Sequence, residues 1–120
     1  MSKSKLLAVN FLLAFTLIGC AHQREWKLPT QGTVSTPPAE LTECIQKAFE
    51  KQQRDHTWKL LQRTTKSASG DILWDQMDSA NGLLHRVVIS PANGIVGSNY
   101  RVDGGFIGLT GLGFIEICFQ

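Results

Sequence analysis

The 120-residue sequence holds few side chains whose type and spacing could support catalysis. Its three histidines, His22, His56 and His85, form no His-x-His, His-x3-His or Cys/His cluster. A zinc site needs three or four ligands that converge on one point. No Gly-x-Ser-x-Gly pattern marks a nucleophilic serine either. The sequence therefore predicts a protein that is not an enzyme and that has no metal site and no cofactor.

Paired carboxylates could in principle cleave a glycosidic bond, and three acidic residues are candidates. Asp75 is simply interpreted as part of a solvated strand face, and Asp78 as part of a turn. Glu116 is the one acidic residue in an apolar stretch. It has two interpretations: an ion pair or rim position, or a carboxylate with a raised pKa. The first is favoured, because structural ion pairs also perturb the pKa values of such carboxylates.

The N-terminus has the order of features that directs a chain to export. Residues 1–5 are basic, residues 6–18 are almost entirely apolar, and the run ends in Leu17-Ile18-Gly19-Cys20. This tetrapeptide resembles the lipobox of bacterial lipoproteins. The resemblance implies cleavage before Cys20, acylation of that cysteine with chains such as palmitate, and a lipid anchor in a membrane. Ala21 is not the aspartate that typically retains such proteins at the inner membrane. The resemblance therefore implies the outer membrane, facing the periplasm, in a Gram-negative source.

Removal of residues 1–19 as a signal peptide leaves one small domain. Ten basic and ten acidic residues then remain, so the mature chain is formally neutral. Nucleic-acid binding needs a basic face, so we expect no nucleic acid among the partners. Residues 20–38 are predicted to be the lipidated cysteine and a flexible tether, because they are rich in Gln, Thr, Ser and Pro and show no apolar periodicity. Residues 39–120 are the predicted domain.

With Cys20 assigned to lipid, Cys44 and Cys118 remain. An exported compartment permits disulfides, so we predict a Cys44–Cys118 bridge. The alternatives are two buried free thiols or bridges between molecules. The spacing is not that of a Cys-x-x-Cys redox pair.

The predicted fold class is α+β, with an amphipathic N-terminal helix packed on an antiparallel five-strand meander. Apolar residues recur at helical spacing from Pro38 to Gln53, and Thr36 could cap the helix. Turn signals containing Asn-Gly, Asp-Gly or Ser-Gly then divide the chain. The predicted strands are 57–66, 71–77, 83–90, 95–102 and 105–119. The last strand is longer than its neighbour, and its pairing with the first strand would close a small barrel.

The segment before the C-terminus is rich in glycine, with seven glycines between residues 94 and 113. It is not a phosphate loop, because no helix is predicted after it and no lysine completes a Walker motif. Its glycines fit bends in a curved sheet. No charged residue lies between Asp103 and Glu116. We therefore predict that its apolar side chains form a partner-binding surface, made by Phe106, Ile107, Leu109 and Leu112.

These features predict a lipid-anchored cell-envelope protein with a small non-catalytic domain for protein binding or assembly. Its expected partners are the membrane, through Cys20, and another envelope protein. The alternative is a periplasmic inhibitor or immunity protein against a cell-wall hydrolase such as lysozyme. Small lipoproteins that inhibit lysozyme are similar in having a lipobox, antiparallel strands and a long-range disulfide, although the helix departs from their pattern. A third interpretation is a small hydrolase acting on peptidoglycan or lipid, with Glu116 as its best candidate.

Overall fold

The computed structural model describes residues 25–55, 59–94, 96–104 and 111–120. These residues form an α+β fold, which confirms the predicted class. The elements in chain order are β1 (Gln31–Val34), α1 (Pro38–Arg54), β2 (Leu61–Lys66), β3 (Ile72–Met77), β4 (Leu83–Pro91), β5 (Ser98–Asp103) and a C-terminal 3-10 helix (Gly113–Phe119).

The sheet has five strands in the order β1-β5-β4-β3-β2, and every neighbouring pair is antiparallel. Strands β2 to β5 follow one another as a meander, as the turn signals predicted. Strands β1 and β2 lie at opposite edges and do not pair with each other. The sheet is therefore open, and the expected barrel closure is wrong.

The predicted turns before β3, β4 and β5 form by local hydrogen bonding. Asp78 follows β3, and its side chain accepts hydrogen bonds from the backbone N–H groups of Ala80 and Gly82. Asn81, within this turn, takes a positive φ of 66°, which asparagine tolerates better than most residues. The observed bounds of β3 and β4 lie within one residue of the predicted strands.

Helix α1 extends one residue beyond its predicted end and buries one stripe of its surface. Leu41, Ile45 and Phe49 are buried at helical spacing. The prediction that Thr36 caps this helix is wrong. The N-cap is Pro37, which makes no side-chain cap bond, and the Thr36 carbonyl instead accepts a hydrogen bond from the Ser98 hydroxyl.

The predicted flexible tether over 20–38 is wrong from Trp26 onward. Trp26 is only 4% exposed and packs edge-to-face on Tyr100 and Phe119. Residues 31–34 then pair with β5 as the edge strand β1. Burial of a large aromatic ring and four residues of strand pairing outweigh the loss of chain entropy.

The last predicted strand, 105–119, is wrong over residues 113–119, which form the 3-10 helix. The buried positions Leu112, Ile115 and Cys118 recur every three residues. A 3-10 helix has three residues per turn and places such positions on one side, whereas a strand would alternate them between two faces. Residues 105–110 lie outside the described part of the chain.

Candidate functional site

A groove of about 840 Å³ lies between α1 and the C-terminal 3-10 helix. We call it the helix groove. Its lining includes four small or apolar residues, which we call the floor, and charged residues from both helices, which we call the rim. The floor residues are Cys44, Ala48, Phe114 and Ile117. The charged residues are Glu40, Glu43, Lys47, Lys51, Asp55 and Glu116.

The sequence of α1 builds one wall of this groove beside the stripe that enters the core. The lining residues of α1 recur every three or four positions from Glu40 to Asp55, so they lie on one face of the helix. At a rise of 1.5 Å per residue this wall is about 22 Å long. One face of helix α1 therefore packs on the sheet, and another lines the groove.

The opposite wall is fixed to α1 by the Cys44–Cys118 disulfide, with a Cα–Cα distance of 5.8 Å. This confirms the predicted bridge. On the 3-10 helix, Ile115 and Phe119 are buried in the core. Phe114 is half-buried, with its ring centre 6.4 Å from that of Phe49.

Ile117 points the other way and is 70% exposed. A large apolar side chain is thus held in contact with solvent on a firmly attached element. Sequence reasoning missed it, because Ile117 shares an alternating pattern with Ile115 and Phe119. The three-residue spacing of Leu112, Ile115 and Cys118 was the signal that could have placed it outside.

The charges around the helix groove are unbalanced. Four carboxylates face two ammonium groups, which gives a net charge of −2 along the lining. Lys47 and Glu43 form an exposed i,i+4 ion pair at 3.0 Å. Glu116 accepts a hydrogen bond from the backbone N–H of Lys27 and is half-buried. Its place at the rim agrees with the simpler of its two interpretations.

A second polar cluster lies on the face of the sheet away from α1. Asp75 was predicted to lie on a solvated strand face, and this is wrong, because its side chain is fully buried. Arg86 donates to both carboxylate oxygens at 2.7 and 3.1 Å, and Arg63 donates to Oδ2 at 2.9 Å. The two long side chains cover the carboxylate as well as pairing with it.

Burial raises the pKa of Asp75, but the hydrogen bonds and charges of Arg86 and Arg63 outweigh burial and hold it below the usual value. The same contact with Asp75 raises the pKa of Arg86. Asp75 and Arg86 therefore keep their charges at neutral pH. The arrangement fits a clamp across three strands rather than an acid or a base poised for proton transfer.

The remaining chemical candidates lie apart from the helix groove. His85 is buried in the sheet, with its Nδ1 2.6 Å from Oε1 of Gln76, and is thus the hydrogen-bonded core histidine that the alternation indicated. His22 and His56 lie outside the described residues. Within the described ranges, no group of three His, Cys, Asp or Glu residues is placed to hold a metal ion.

The predicted partner-binding surface is corrected at the one position that is described. Leu112 is 0% exposed and belongs to the core, because it is the first of the inward positions of the C-terminal segment. It cannot serve as a surface contact. Phe106, Ile107 and Leu109 lie outside the described residues, and so do Cys20 and the export signal.

Searches for related proteins add no homologue. No family model, curated protein or solved structure matches this chain. Among the helices in the described ranges, none is both long and apolar enough to cross a membrane.

Proposed function

We propose that this protein is a lipid-anchored cell-envelope protein whose domain binds a partner protein in the helix groove, without catalysis. The observation that carries the proposal is Ile117, which is 70% exposed beside the half-buried Phe114. Apolar side chains exposed in a concave and rigid setting commonly mark interaction sites.

The state of the acidic residues supports a binding role. Asp75 is held by two arginines, and Glu116 accepts the Lys27 N–H. A glycosidase needs two carboxylates facing one bond. Asp75 lies on the open face of the sheet, whereas Glu116 lies at the helix groove on the other side. These two candidates therefore do not form such a pair.

The lipid anchor at Cys20 is the second part of the proposal, and it rests on the lipobox resemblance. Two or three acyl chains hold a protein stably at a membrane, whereas one chain is marginal. The variant Cys20→Ser should be released from the membrane fraction or accumulate as precursor. Normal processing and membrane retention of this variant would contradict the anchor.

The partner can be sought by placing a photo-crosslinking amino acid at position 117 in living cells. The matched control is position 96, because Val96 is also apolar and 80% exposed but does not line the groove. We expect a discrete protein adduct at position 117 and none at position 96. The absence of an adduct at 117, or the same adducts at both positions, would exclude a binding site in the groove.

Inhibition of a cell-wall hydrolase is a second candidate, and the negative lining of the helix groove favours it. An enzyme that acts on an anionic polymer gains from a positively charged surface, which the groove would attract. The test measures lysis of a cell-wall suspension by lysozyme with excess Cys20→Ser protein. Unchanged lysis would remove lysozyme as the target.

A further inference from the structure

We infer that the helix groove binds a basic amphipathic helix of the partner protein. This inference rests on the proposed function and names the chemistry of the partner. It follows from the shape of the groove, the position of its apolar side chains and the sign of its charge.

The shape of the groove is elongated. The α1 wall extends about 22 Å, from Glu40 to Asp55, which equals four helical turns. The facing wall is the 3-10 helix, held by the disulfide to Cys44 near the middle of α1. A helix with its side chains is about 10–12 Å wide and matches an elongated groove better than a compact ligand does. Helices that bind in grooves insert apolar residues at i, i+3 or i+4, and i+7.

The floor of the groove offers a place for such apolar residues. Ala48, near the middle of α1, contributes only a methyl group to the floor. Phe114 and Ile117 contribute larger apolar side chains to it from the 3-10 helix. An inserted leucine or phenylalanine would remove Ile117 from water, which is a favourable change for a side chain that is now 70% exposed.

The charge of the groove selects the polar face of the incoming helix. The lining carries a net charge of −2, with Glu40 near the start of α1, Asp55 after its end and Glu116 across from them. Lysine or arginine beside the apolar stripe of the partner would meet these carboxylates. An acidic helix with the same apolar stripe would be repelled, so the groove discriminates by charge.

The first experiment compares two synthetic 18-residue helical peptides with an identical leucine stripe. One has lysine on its polar face and the other has glutamate. Binding to the Cys20→Ser protein is measured by fluorescence anisotropy. We expect the basic peptide to bind at least 10-fold more tightly, and its affinity to fall at high salt as screening weakens the charge contacts.

The second experiment locates the bound peptide with two charge reversals, one in the groove on α1 and one outside it. Glu43 lines the groove, whereas Asp71 lies in the turn between β2 and β3 and does not line it. We expect Glu43→Lys to weaken binding of the basic peptide about 10-fold and Asp71→Lys to change it less than about 2-fold, since salt screens a charge that does not line the groove. Helical content measured by circular dichroism shows that both variants are folded.

Equal affinities for the two peptides, no binding of the basic peptide, or equal effects of the two reversals would each overturn the inference. None of these results depends on the crosslink at position 117. If a partner were captured at position 117 but its capture were unaffected by Glu43→Lys, the proposed function would stand. Only the inference that the partner segment is a basic helix would be contradicted. The absence of any capture would remove the proposed function itself.

Discussion

The two faces of the sheet bury neighbouring residues of β3 by different means. Trp74 and Asp75 are adjacent in sequence, and both are 0% exposed. Trp74 faces α1 and packs on Phe49, with ring centres 6.0 Å apart. Asp75 faces away from α1 and is covered by Arg63 and Arg86. In the described part of the chain, the apolar side chain is thus buried by a second layer of structure, whereas the charged one is paired with two long side chains from neighbouring strands.

Burial on the face toward α1 therefore depends on the contacts that hold α1 and the 3-10 helix against the sheet. Burial of Asp75, on the opposite face, does not depend on those contacts. This difference predicts which changes are global and which are local. The largest effects should come from loosening the layer, the next from the arginine clamp, and the smallest from the exposed wall of the helix groove.

Removing the disulfide should have the largest effect. The bridge joins residues 74 positions apart, and loss of such a cross-link costs about 4–5 kcal/mol in the chain-entropy account. Urea unfolding of a Cys44→Ala/Cys118→Ala variant measures the loss, with the oxidised wild type as control. A loss below about 1 kcal/mol would mean that packing alone holds the 3-10 helix, since disulfide contributions range down to about zero.

Trp26→Ala should cost about 3–5 kcal/mol, as is typical when a buried aromatic residue is removed. The change empties the site between Tyr100 and Phe119. Trp26→Phe keeps most of the apolar volume and should cost clearly less. If Trp26→Ala were neutral in thermal unfolding, residues 25–30 would contribute nothing to the fold.

Asp75→Asn tests the open face and should cost about 1.5–3 kcal/mol, the usual value for hydrogen bonds to charged groups. The matched control is Glu43→Gln, which removes the exposed pair with Lys47 and should cost less than about 1 kcal/mol. Equal losses in chemical unfolding would show that burial does not strengthen the Asp75 contacts.

The pH dependence of the free energy of unfolding at acid pH should reflect the protonation of Asp75. Its pKa in the folded protein lies below the ordinary value of 3.8. The folded state therefore binds this proton less well than the unfolded state does, so the contribution is fully present above the ordinary pKa. It is lost as the pH falls through the lowered pKa. Unfolding free energies measured from pH 6 downward should fall less steeply in Asp75→Asn, and an unchanged slope would contradict this assignment.

Ile117→Asp should have the smallest effect on stability, within about 0.5 kcal/mol, because the side chain is exposed. Ile115→Asp, two residues earlier, places a charge in the core and should unfold the domain. The pair of variants separates binding from folding. Loss of partner capture with an unchanged thermal midpoint is the expected result for Ile117→Asp.

The elements that could be predicted are those specified by local sequence. The stripe of Leu41, Ile45 and Phe49 is enough to identify α1, and short turn signals are enough to order β2 to β5. Strand β1 could not be predicted, since its residues Gln31–Val34 show no apolar alternation and its partner β5 is more than 60 residues away. Such pairing depends on tertiary contacts rather than on local preference.

Of the two arginine contacts of Asp75, only the one with Arg63 could be predicted from the sequence. A tight turn after Lys66 places Arg63 opposite Asp75. On the other side, continuing the register from Met77 and Leu83 would place His85 opposite Asp75. A bulge between Gln76 and Met77 shifts the pairing by one residue and brings Arg86 there. One extra residue exchanges the two faces of a strand, and the sequence carries no plain signal for it.

The burial of Trp26 changes how far the domain can extend from its proposed anchor. Only residues 21–25 separate Cys20 from Trp26, so even a fully extended connection reaches about 20 Å. Lys27, the residue after Trp26, contacts Glu116 on the rim of the helix groove. A lipidated Cys20 would thus keep the groove close to the bilayer, and the search for a partner would be confined to a thin layer next to the membrane. Proteins that spend their time at that membrane would then have the highest effective concentration at the groove.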